Sequence, residues 1–194
     1  MEINKDDVDN NISQIEQLER QWEEEQNRLA ACVICENPEL EDKIRNHSLE
    51  RIGGLDISYS GDDDDTAVGC LVVYNPQTQK IVYSDLQTFT ISVPYIPGYL
   101  AYREMPIYRS LLTKLKQNHN ELFPEVILVD GQGRLHPRHC GSACVVGLEF
   151  GCPTIGVGKN MFCGGSFVQS GKKPVVLDGA CDVCSDIHEF HLGM

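Results

Sequence analysis

Two aspartates inside apolar stretches are the first residues whose type and setting suggest chemistry. Asp56 stands between Leu55 and Ile57, and Asp130 directly follows the apolar run 126–129. A carboxylate withdrawn from water must be paired, hydrogen-bonded or bound to a cation. Each aspartate also has a purely structural interpretation. Asp56 on its own is explained equally well as a carboxylate that accepts backbone N–H bonds, and Asp130 as the side chain of an Asx turn. On adjacent strands, the two like charges need a cation between them, and hard oxygen ligands favour Mg²⁺ or Mn²⁺.

Four further side chains near these aspartates carry charge or protons. Glu104 can join the metal site or orient a water molecule, which completes an acidic triad. His136 and Arg138 follow the second aspartate within one loop, where they can contact phosphate or assist a leaving group. Lys159 follows the apolar segment 153–157 and reaches the same sheet edge if the strands are parallel, although a solvated lysine at a strand end is the commoner case.

Paired carboxylates also serve glycosidases, which keep one of the two protonated. The single tryptophan, Trp22, falls in a predicted helix, and few aromatic residues lie near Asp130. The sequence therefore offers no aromatic platform for a sugar, and the metal interpretation is preferred.

Hydrophobic patterns predict the elements that must position these residues. In order, they are strands at 51–59, 66–74 and 80–86, a helix beginning at Pro106, a strand at 126–129, a helix at 140–150 and a strand at 153–157. Short turns make the first three strands an antiparallel meander, and the helices connect the later strands in parallel. The predicted class is α/β, with a mixed sheet and helices on both faces.

The two ends of the chain differ from this central region, 51–160. A capping-box pattern at Ser13 and Glu16, followed by apolar residues at helical spacing, predicts an amphipathic helix to about Cys35. Its apolar stripe predicts a helix docked on the domain, and residues 38–49 are interpreted as a linker, so that 1–50 form an N-terminal arm. The segment 161–194 is rich in glycine and cysteine, and only 174–177 resembles a strand.

The net charge of −13 argues against nucleic acid at first sight, because phosphate binding depends on Lys and Arg. The acidity is peripheral, however. Residues 1–50 carry 14 acidic and 5 basic side chains, whereas 90–160 carry seven basic and five acidic ones. The candidate active surface is mildly basic, which favours a partner that is recognised locally.

The chain shows no export or membrane signal. No apolar run approaches the length of a membrane span, and the N-terminus is too acidic for a signal peptide. The expected location is the cytoplasm, with the nucleus as a second compartment. The nine cysteines are an odd number, and most are expected to be free thiols.

Four motifs in the same order resemble endonuclease V. They are GLDIS at 54–58, VPYIPGYLAYRE at 93–104, LVDGQGRLHPR at 128–138 and GVGK at 156–159. The resemblance implies a ribonuclease-H-like nuclease core and Mg²⁺-dependent hydrolysis of the second phosphodiester bond 3′ to an inosine, with Mn²⁺ as a substitute. The acidic arm and the cysteine richness favour single-stranded inosine RNA, with deoxyinosine in DNA, and hence DNA repair, as the alternative. The expected enzyme is a monomer.

The resemblance also implies roles for individual residues. Asp56 and Asp130 match the metal-binding aspartates, and Glu104 matches the catalytic glutamate beside the metal. His136 and Lys159 match the family's active-site histidine and lysine.

Tyr95 matches an aromatic wedge that holds strands apart while a base is turned out into a pocket. A ring held between Pro94 and Pro97 fills the vacated gap with little loss of entropy. The remaining expected substrate contacts are Ile96, Gly98, Gly131, Gly133 and Arg138.

Beyond Lys159, the chain departs from the family pattern, in which a Ser-x-Gly-His-like segment brings a late His or Asp near the metal. Either the site lacks this outer ligand and turns over slowly, or a tail residue replaces it. The candidates are Asp182, Asp186, His188 and His191. The tail after Gly171 is interpreted as dispensable for turnover.

Two other functions stay open at this point. One is a binding module that recognises inosine in RNA without cutting it, which the negative charge and the divergent tail favour. The other is a structural zinc protein built on Cys181, Cys184, His188 and His191, whose histidine spacing is tighter than that of usual zinc fingers.

Overall fold

The computed structural model describes residues 5–60 and 65–158 and three short strands beyond them. Its helices are α1 (Lys5–Ala30), α2 (Pro38–Arg45), α3 (Leu100–Asn118) and α4 (Ser142–Phe150), with a 3₁₀ turn at Asn120–Leu122. Its strands are β1 (Ile52–Tyr59), β2 (Thr66–Asn75), β3 (Lys80–Thr90), β4 (Val126–Asp130), β5 (Thr154–Gly158), β6 (Met161–Cys163), β7 (Ser166–Val168) and β8 (Val176–Gly179).

Six strands form one mixed sheet in the order β3-β2-β1-β4-β5-β8. β1, β2 and β3 are the predicted antiparallel meander. β4 pairs in parallel with β1, and β5 pairs in parallel with β4, as the helical connections through α3 and α4 require. The predicted α/β fold with a mixed sheet is confirmed.

Side chains along the central strands alternate between a buried and an open face. In β1, Leu55 and Ile57 are buried, whereas Asp56 between them is exposed, as strand geometry predicts. α3 and α4 contact each other and cover the buried face, where Leu71 and Val129 are fully buried. The prediction placed helices on both faces; in the described part of the chain, the helices that pack on the sheet lie on this one face.

The helices differ from the predictions in several places. α1 begins at Lys5 and ends at Ala30, and the predicted linker contains the short helix α2, whose N-cap Asn37 accepts a hydrogen bond from the Leu40 N–H at 3.0 Å. α3 begins at Leu100, so Pro106 lies inside it and not in its first turn. Pro106 is on the exposed side of α3. Its nitrogen carries no N–H to donate within the helix, and the helix nevertheless continues past it.

The tail contributes to the sheet in one place. β8 pairs antiparallel with β5, from Ile155 opposite Gly179 to Gly158 opposite Val176. The sequence pattern placed this strand at 174–177, two residues early. Lys159 and the proposed tail ligands and zinc ligands (Asp182, Asp186, Cys181, Cys184, His188, His191) lie outside the described residues.

The described residues bear on two expectations from composition. None of the helices there combines the length and the apolar character needed to cross a bilayer. The six cysteines whose side chains are described are free thiols, three of them buried.

The segment after Gly171 was predicted to be dispensable for turnover; because β8 covers the edge of β5, we expect it to contribute to stability. Truncation after Gly171 is expected to lower the free energy of unfolding by about 1–3 kcal/mol, since the β5 backbone keeps β4 but loses β8, one of its two partner strands. Truncation after Gly179 keeps β8 and is expected to leave stability unchanged. Urea unfolding of both forms checks this, and equal midpoints would show that β8 adds nothing to the sheet.

Candidate active site

The parallel pairing of β1 with β4 places two carboxylates side by side. The last registered pair is Leu55 opposite Val129, so Asp56 and Asp130 follow it on neighbouring strands. Both aspartates line one depression of about 420 Å³ on the open face of the sheet. Asp56 Oδ1 also accepts a hydrogen bond from the Ile57 N–H at 2.9 Å. The structure thus brings together the two aspartates that the sequence singled out.

Glu104 approaches the same sheet edge from α3. It is only 4% exposed, and its Oε2 accepts a hydrogen bond from Ser142 Oγ at 3.0 Å. Its pKa is raised to about 8, chiefly by burial and further by the negative charges of Asp130 and Asp56, while the Ser142 hydrogen bond opposes the shift. Three carboxyl groups therefore share one electrostatic environment, and near neutral pH the buried one holds a proton.

The chemistry of this donor set fits a hard divalent cation. Among the described residues, no three His, Cys, Asp or Glu side chains are already arranged to hold a metal ion. Mg²⁺ does not require such a cage, since it commonly uses one or two carboxylates and completes its shell with water and substrate phosphate. Asp56 and Asp130 supply two carboxylates. Burial is the main cause of the raised pKa of Glu104, and the charges of the two aspartates add a repulsion that a cation would relieve.

A cavity of about 330 Å³ adjoins the carboxylates, between the loop before α3 and the loop after β4. Its walls include Glu104, Asp130, Gly131 and Gln132. This volume is within the range of small-ligand pockets. The cavity can therefore hold a group of nucleobase size next to the acidic cluster.

Tyr95 stands at the mouth of this cavity and is 54% exposed. Pro94 and Pro97 beside it are exposed, whereas Ile96 is buried. Ile96 anchors the loop in the core and leaves the tyrosine ring presented to solvent. An exposed ring on an anchored loop is what a wedge requires, and the wedge role of Tyr95 stays a prediction. Ile96, which was expected to contact substrate, is buried.

Two glycines allow the walls of the cavity to approach closely. Gly98 has a φ of +85°, which favours glycine, and its carbonyl points towards the loop after β4. At Gly156 in β5, a Cβ would lie 2.6 Å from the Gly133 N. β5 therefore supports the loop 131–133 directly, and a side chain at 156 would displace it.

His136 lies in the cavity wall, with both ring nitrogens bound within the protein. Its Nδ1 accepts a hydrogen bond from the Arg138 N–H at 3.2 Å, so Nε2 carries the proton and donates to the Gly98 carbonyl at 3.1 Å. Burial, together with the Arg138 charge, lowers its pKa to about 4. The imidazole is neutral and ties two loops together.

Arg138 is held in the same way. Its Nη2 donates to the Gly98 carbonyl at 2.6 Å, and its guanidinium lies 4.2 Å from the centre of the Tyr99 ring. The sequence placed Arg138 in contact with substrate; the structure gives it contacts that fix the Gly98 loop.

Several site residues were missed by the sequence analysis. Ser142 is a single hydroxyl at the start of the apolar segment that becomes α4, and it holds Glu104. Tyr108 is fully buried on α3, and its hydroxyl donates to the Asp130 carbonyl at 3.5 Å. Gln26 of α1 also lines the cavity. A polar residue on an apolar stripe was the available signal for Gln26, which lies four residues after Trp22 and three before Leu29 on the predicted stripe.

An antiparallel meander extended by parallel strands, with carboxylates meeting at one sheet edge, is the architecture of the ribonuclease-H-like proteins. The family model for endonuclease V matches residues 21–180. The chain belongs to the endonuclease V family.

Relatives and solved structures agree with this assignment. Mouse endonuclease V is 38% identical over 141 residues, which are 72% of this chain and 42% of the relative. The catalytic domain of human endonuclease V superposes with a TM-score of 0.71 at 33% identity, covering 76% of this chain and 60% of that one. Endonuclease V of Ciona intestinalis, in complex with a 24mer DNA containing an inosine followed by a ribo-adenosine, gives a TM-score of 0.67 at 34% identity, with coverages of 76% and 59%. The chain spans about half the length of the curated relatives it matches.

The raised pKa of Glu104 predicts a pH-dependent stability in the metal-free protein. The unfolded carboxyl has a pKa near 4.5, so between pH 4.5 and 8 the folded state binds more protons and stability falls as pH rises. Glu104→Gln is expected to flatten this decline and to melt higher than the parent at pH 8. Thermal unfolding in EDTA at several pH values measures it, with the exposed Glu16→Gln on α1 as the control. A parent-like decline in Glu104→Gln would show that another group is responsible.

Proposed function

We propose that this protein is a Mg²⁺-dependent endonuclease that cleaves nucleic acid at the second phosphodiester bond 3′ to an inosine. The observation that carries the proposal is the convergence of Asp56, Asp130 and Glu104 beside a cavity of nucleobase size with Tyr95 at its mouth. Membership of the endonuclease V family supports the same reaction class.

The nucleic acid is proposed to be single-stranded RNA, with deoxyinosine in DNA as the second substrate. The Ciona relative was crystallised with a 24mer DNA that contains an inosine followed by a ribo-adenosine. A ribonucleotide 3′ to the inosine carries the 2′-hydroxyl by which proteins distinguish RNA from DNA. The acidic N-terminal arm, which disfavours non-specific duplex binding, is consistent with this choice.

Asp56 and Asp130 are the residues that would hold the Mg²⁺ ion, with Glu104 beside it. When bound, the ion supplies an activated water nucleophile and relieves charge on the leaving oxygen. The two aspartates stand on adjacent strands of a rigid sheet, so their spacing is fixed before any ligand arrives. This preorganisation limits the reorganisation needed during the reaction.

Glu104 is proposed to move a proton during cleavage. In the metal-free protein its pKa is raised to about 8, so the carboxyl can hold a proton near neutral pH. Neutralisation of the neighbouring aspartates lowers that pKa, because their charges are part of what raises it. Ser142 Oγ donates to Glu104 Oε2 and fixes the direction in which the carboxyl points.

The cavity is proposed to receive the hypoxanthine base after it is turned out of its stack. Backbone groups near Gly98 and along 131–133 then read the polar edge of the base, and Tyr95 fills the gap. His136 and Arg138 contribute by fixing these loops, since their polar atoms are bound within the protein.

The central test is cleavage of labelled oligonucleotides that contain one inosine, as matched DNA and RNA, in Mg²⁺ and in EDTA. Cleavage is expected only with Mg²⁺. Asp56→Ala and Asp130→Ala are expected to abolish it while folding is retained, and removal of either charge is expected to raise the melting temperature of the metal-free protein. Asp42→Ala, on the exposed side of α2, is the matched control.

Full activity in either aspartate variant would overturn the metal assignment. Binding of inosine RNA by the parent protein without cleavage would instead identify an inosine-binding module.

The proposed wedge role of Tyr95 predicts a loss of nucleic-acid affinity without a loss of Mg²⁺ binding. Tyr95→Ala is expected to weaken binding of inosine oligonucleotides by about 1–3 kcal/mol, the usual worth of one base–aromatic stack. Mg²⁺ binding should be unaffected, because Tyr95 supplies no carboxylate to the proposed metal site. Fluorescence anisotropy with a labelled oligonucleotide measures the affinity, and the exposed Tyr74→Ala at the end of β2 is the control. Parent-like affinity would make Tyr95 only an exposed loop aromatic.

A further inference from the structure

Gln26 is the most buried polar side chain of the described residues outside the acidic site. It is 1% exposed and lies on the face of α1 that packs on the domain, among positions otherwise apolar. A buried amide is costly unless its donors and acceptor are bonded. The hydrogen-bond partners of Gln26 therefore indicate the role of this side chain.

All the partners of Gln26 lie in one loop, between β4 and α4. Its Oε1 accepts a hydrogen bond from Arg138 Nε at 2.6 Å. Its Nε2 donates to the Cys140 carbonyl and lies 3.5 Å from His136 Nδ1. A single amide from outside the sheet thus contacts three residues of the segment 136–140.

The same contacts extend to the opposite wall of the cavity. Arg138 Nη2 and His136 Nε2 both donate to the Gly98 carbonyl. Gln26 therefore stands at one end of a chain of hydrogen bonds that connects α1, the loop after β4 and the loop that presents the wedge. The cavity lies between those two loops, and Gln26 forms part of its lining.

The N-terminal helix is fixed independently of this amide. The Trp22 ring stacks on Tyr102 with centroids 4.9 Å apart and planes 6° apart, and the Tyr102 hydroxyl donates to the Trp22 carbonyl at 2.9 Å. α1 thus remains docked if the Gln26 amide is removed. A substitution at Gln26 can test the loop contacts separately from docking of the helix.

We propose that Gln26 is a positioning residue of the base pocket, which sets the separation of the Gly98 and 131–141 walls by holding Arg138 and the Cys140 carbonyl. The proposal rests on the function proposed above. It makes α1 part of the machinery that selects the base, although α1 lies outside the nuclease core. A wall displaced by about 1 Å in a site of this kind lowers catalytic efficiency by up to about a hundredfold.

The test compares Gln26→Leu with Gln21→Leu, the same substitution at an exposed glutamine five residues earlier on α1. For an inosine oligonucleotide with Mg²⁺, Gln26→Leu is expected to raise KM at least about tenfold and to leave kcat within about threefold, because the carboxylates on the sheet do not move. Gln21→Leu is expected to match the parent. Gln26→Glu keeps the acceptor for Arg138 and is expected to rescue KM in part.

Hydrogen exchange gives a readout that needs no activity. Gln26→Leu is expected to raise exchange in 94–99 and 133–141, and to leave β1 and β4 protected. Unchanged KM and unchanged exchange would overturn the proposal, as would a loss confined to kcat. If Gln26→Leu does not fold, Gln26→Glu carries the comparison: it is expected to raise KM and exchange to a smaller extent, because it loses the donor to the Cys140 carbonyl, and parent-like KM and exchange would overturn the proposal. If the parent protein cleaves no substrate, the proposed function fails. The exchange result still decides whether Gln26 positions the Gly98 loop and the loop 131–141.

Discussion

The parallel pairing of β1 with β4 is the constraint on which the rest of the site depends. It places Asp56 and Asp130 on adjacent strands, where their like charges repel. The sheet withstands this repulsion because Leu55, Val129 and their neighbours are buried beneath α3 and α4. Hydrophobic burial under one face thus stabilises an unfavourable arrangement of charge on the other. A cation converts the same arrangement into a binding site.

Glu104 extends this electrostatic coupling into the interior. The helix that covers the sheet also carries the third carboxyl, and burial beside two aspartates keeps it protonated near neutral pH. Stability and chemistry are therefore linked through one proton: the metal-free protein gains stability from holding it, and the proposed reaction needs it to move. Ser142, from the neighbouring helix, fixes the group without removing that capacity.

The pocket beside the carboxylates is built by loops, and hydrogen bonds set its dimensions. Gly98 presents its carbonyl to His136 and Arg138, and Gln26 holds Arg138 from the far side. None of these contacts belongs to the sheet. The proposed metal ligands and the proposed base-binding walls are thus positioned by different parts of the molecule, so substitutions can be expected to separate catalysis from recognition.

The sequence by itself determined the α/β class, the meander followed by parallel strands, and the identity of the clustered carboxylates, because these follow from periodicity and from charges placed in apolar strands. Asp56 facing away from Leu55 and Ile57 is a consequence of strand geometry alone. Only the tertiary structure decided that α3 begins before Pro106, that β8 adds an edge strand, and that His136 and Arg138 are bound within the protein. Each of these depends on surroundings that the local sequence does not contain. They are the solvent at the outer side of α3, the free edge of β5, and the Gln26 amide 110 residues from His136. Local pattern reports which face of an element is apolar, and it does not report which distant polar group that face will meet.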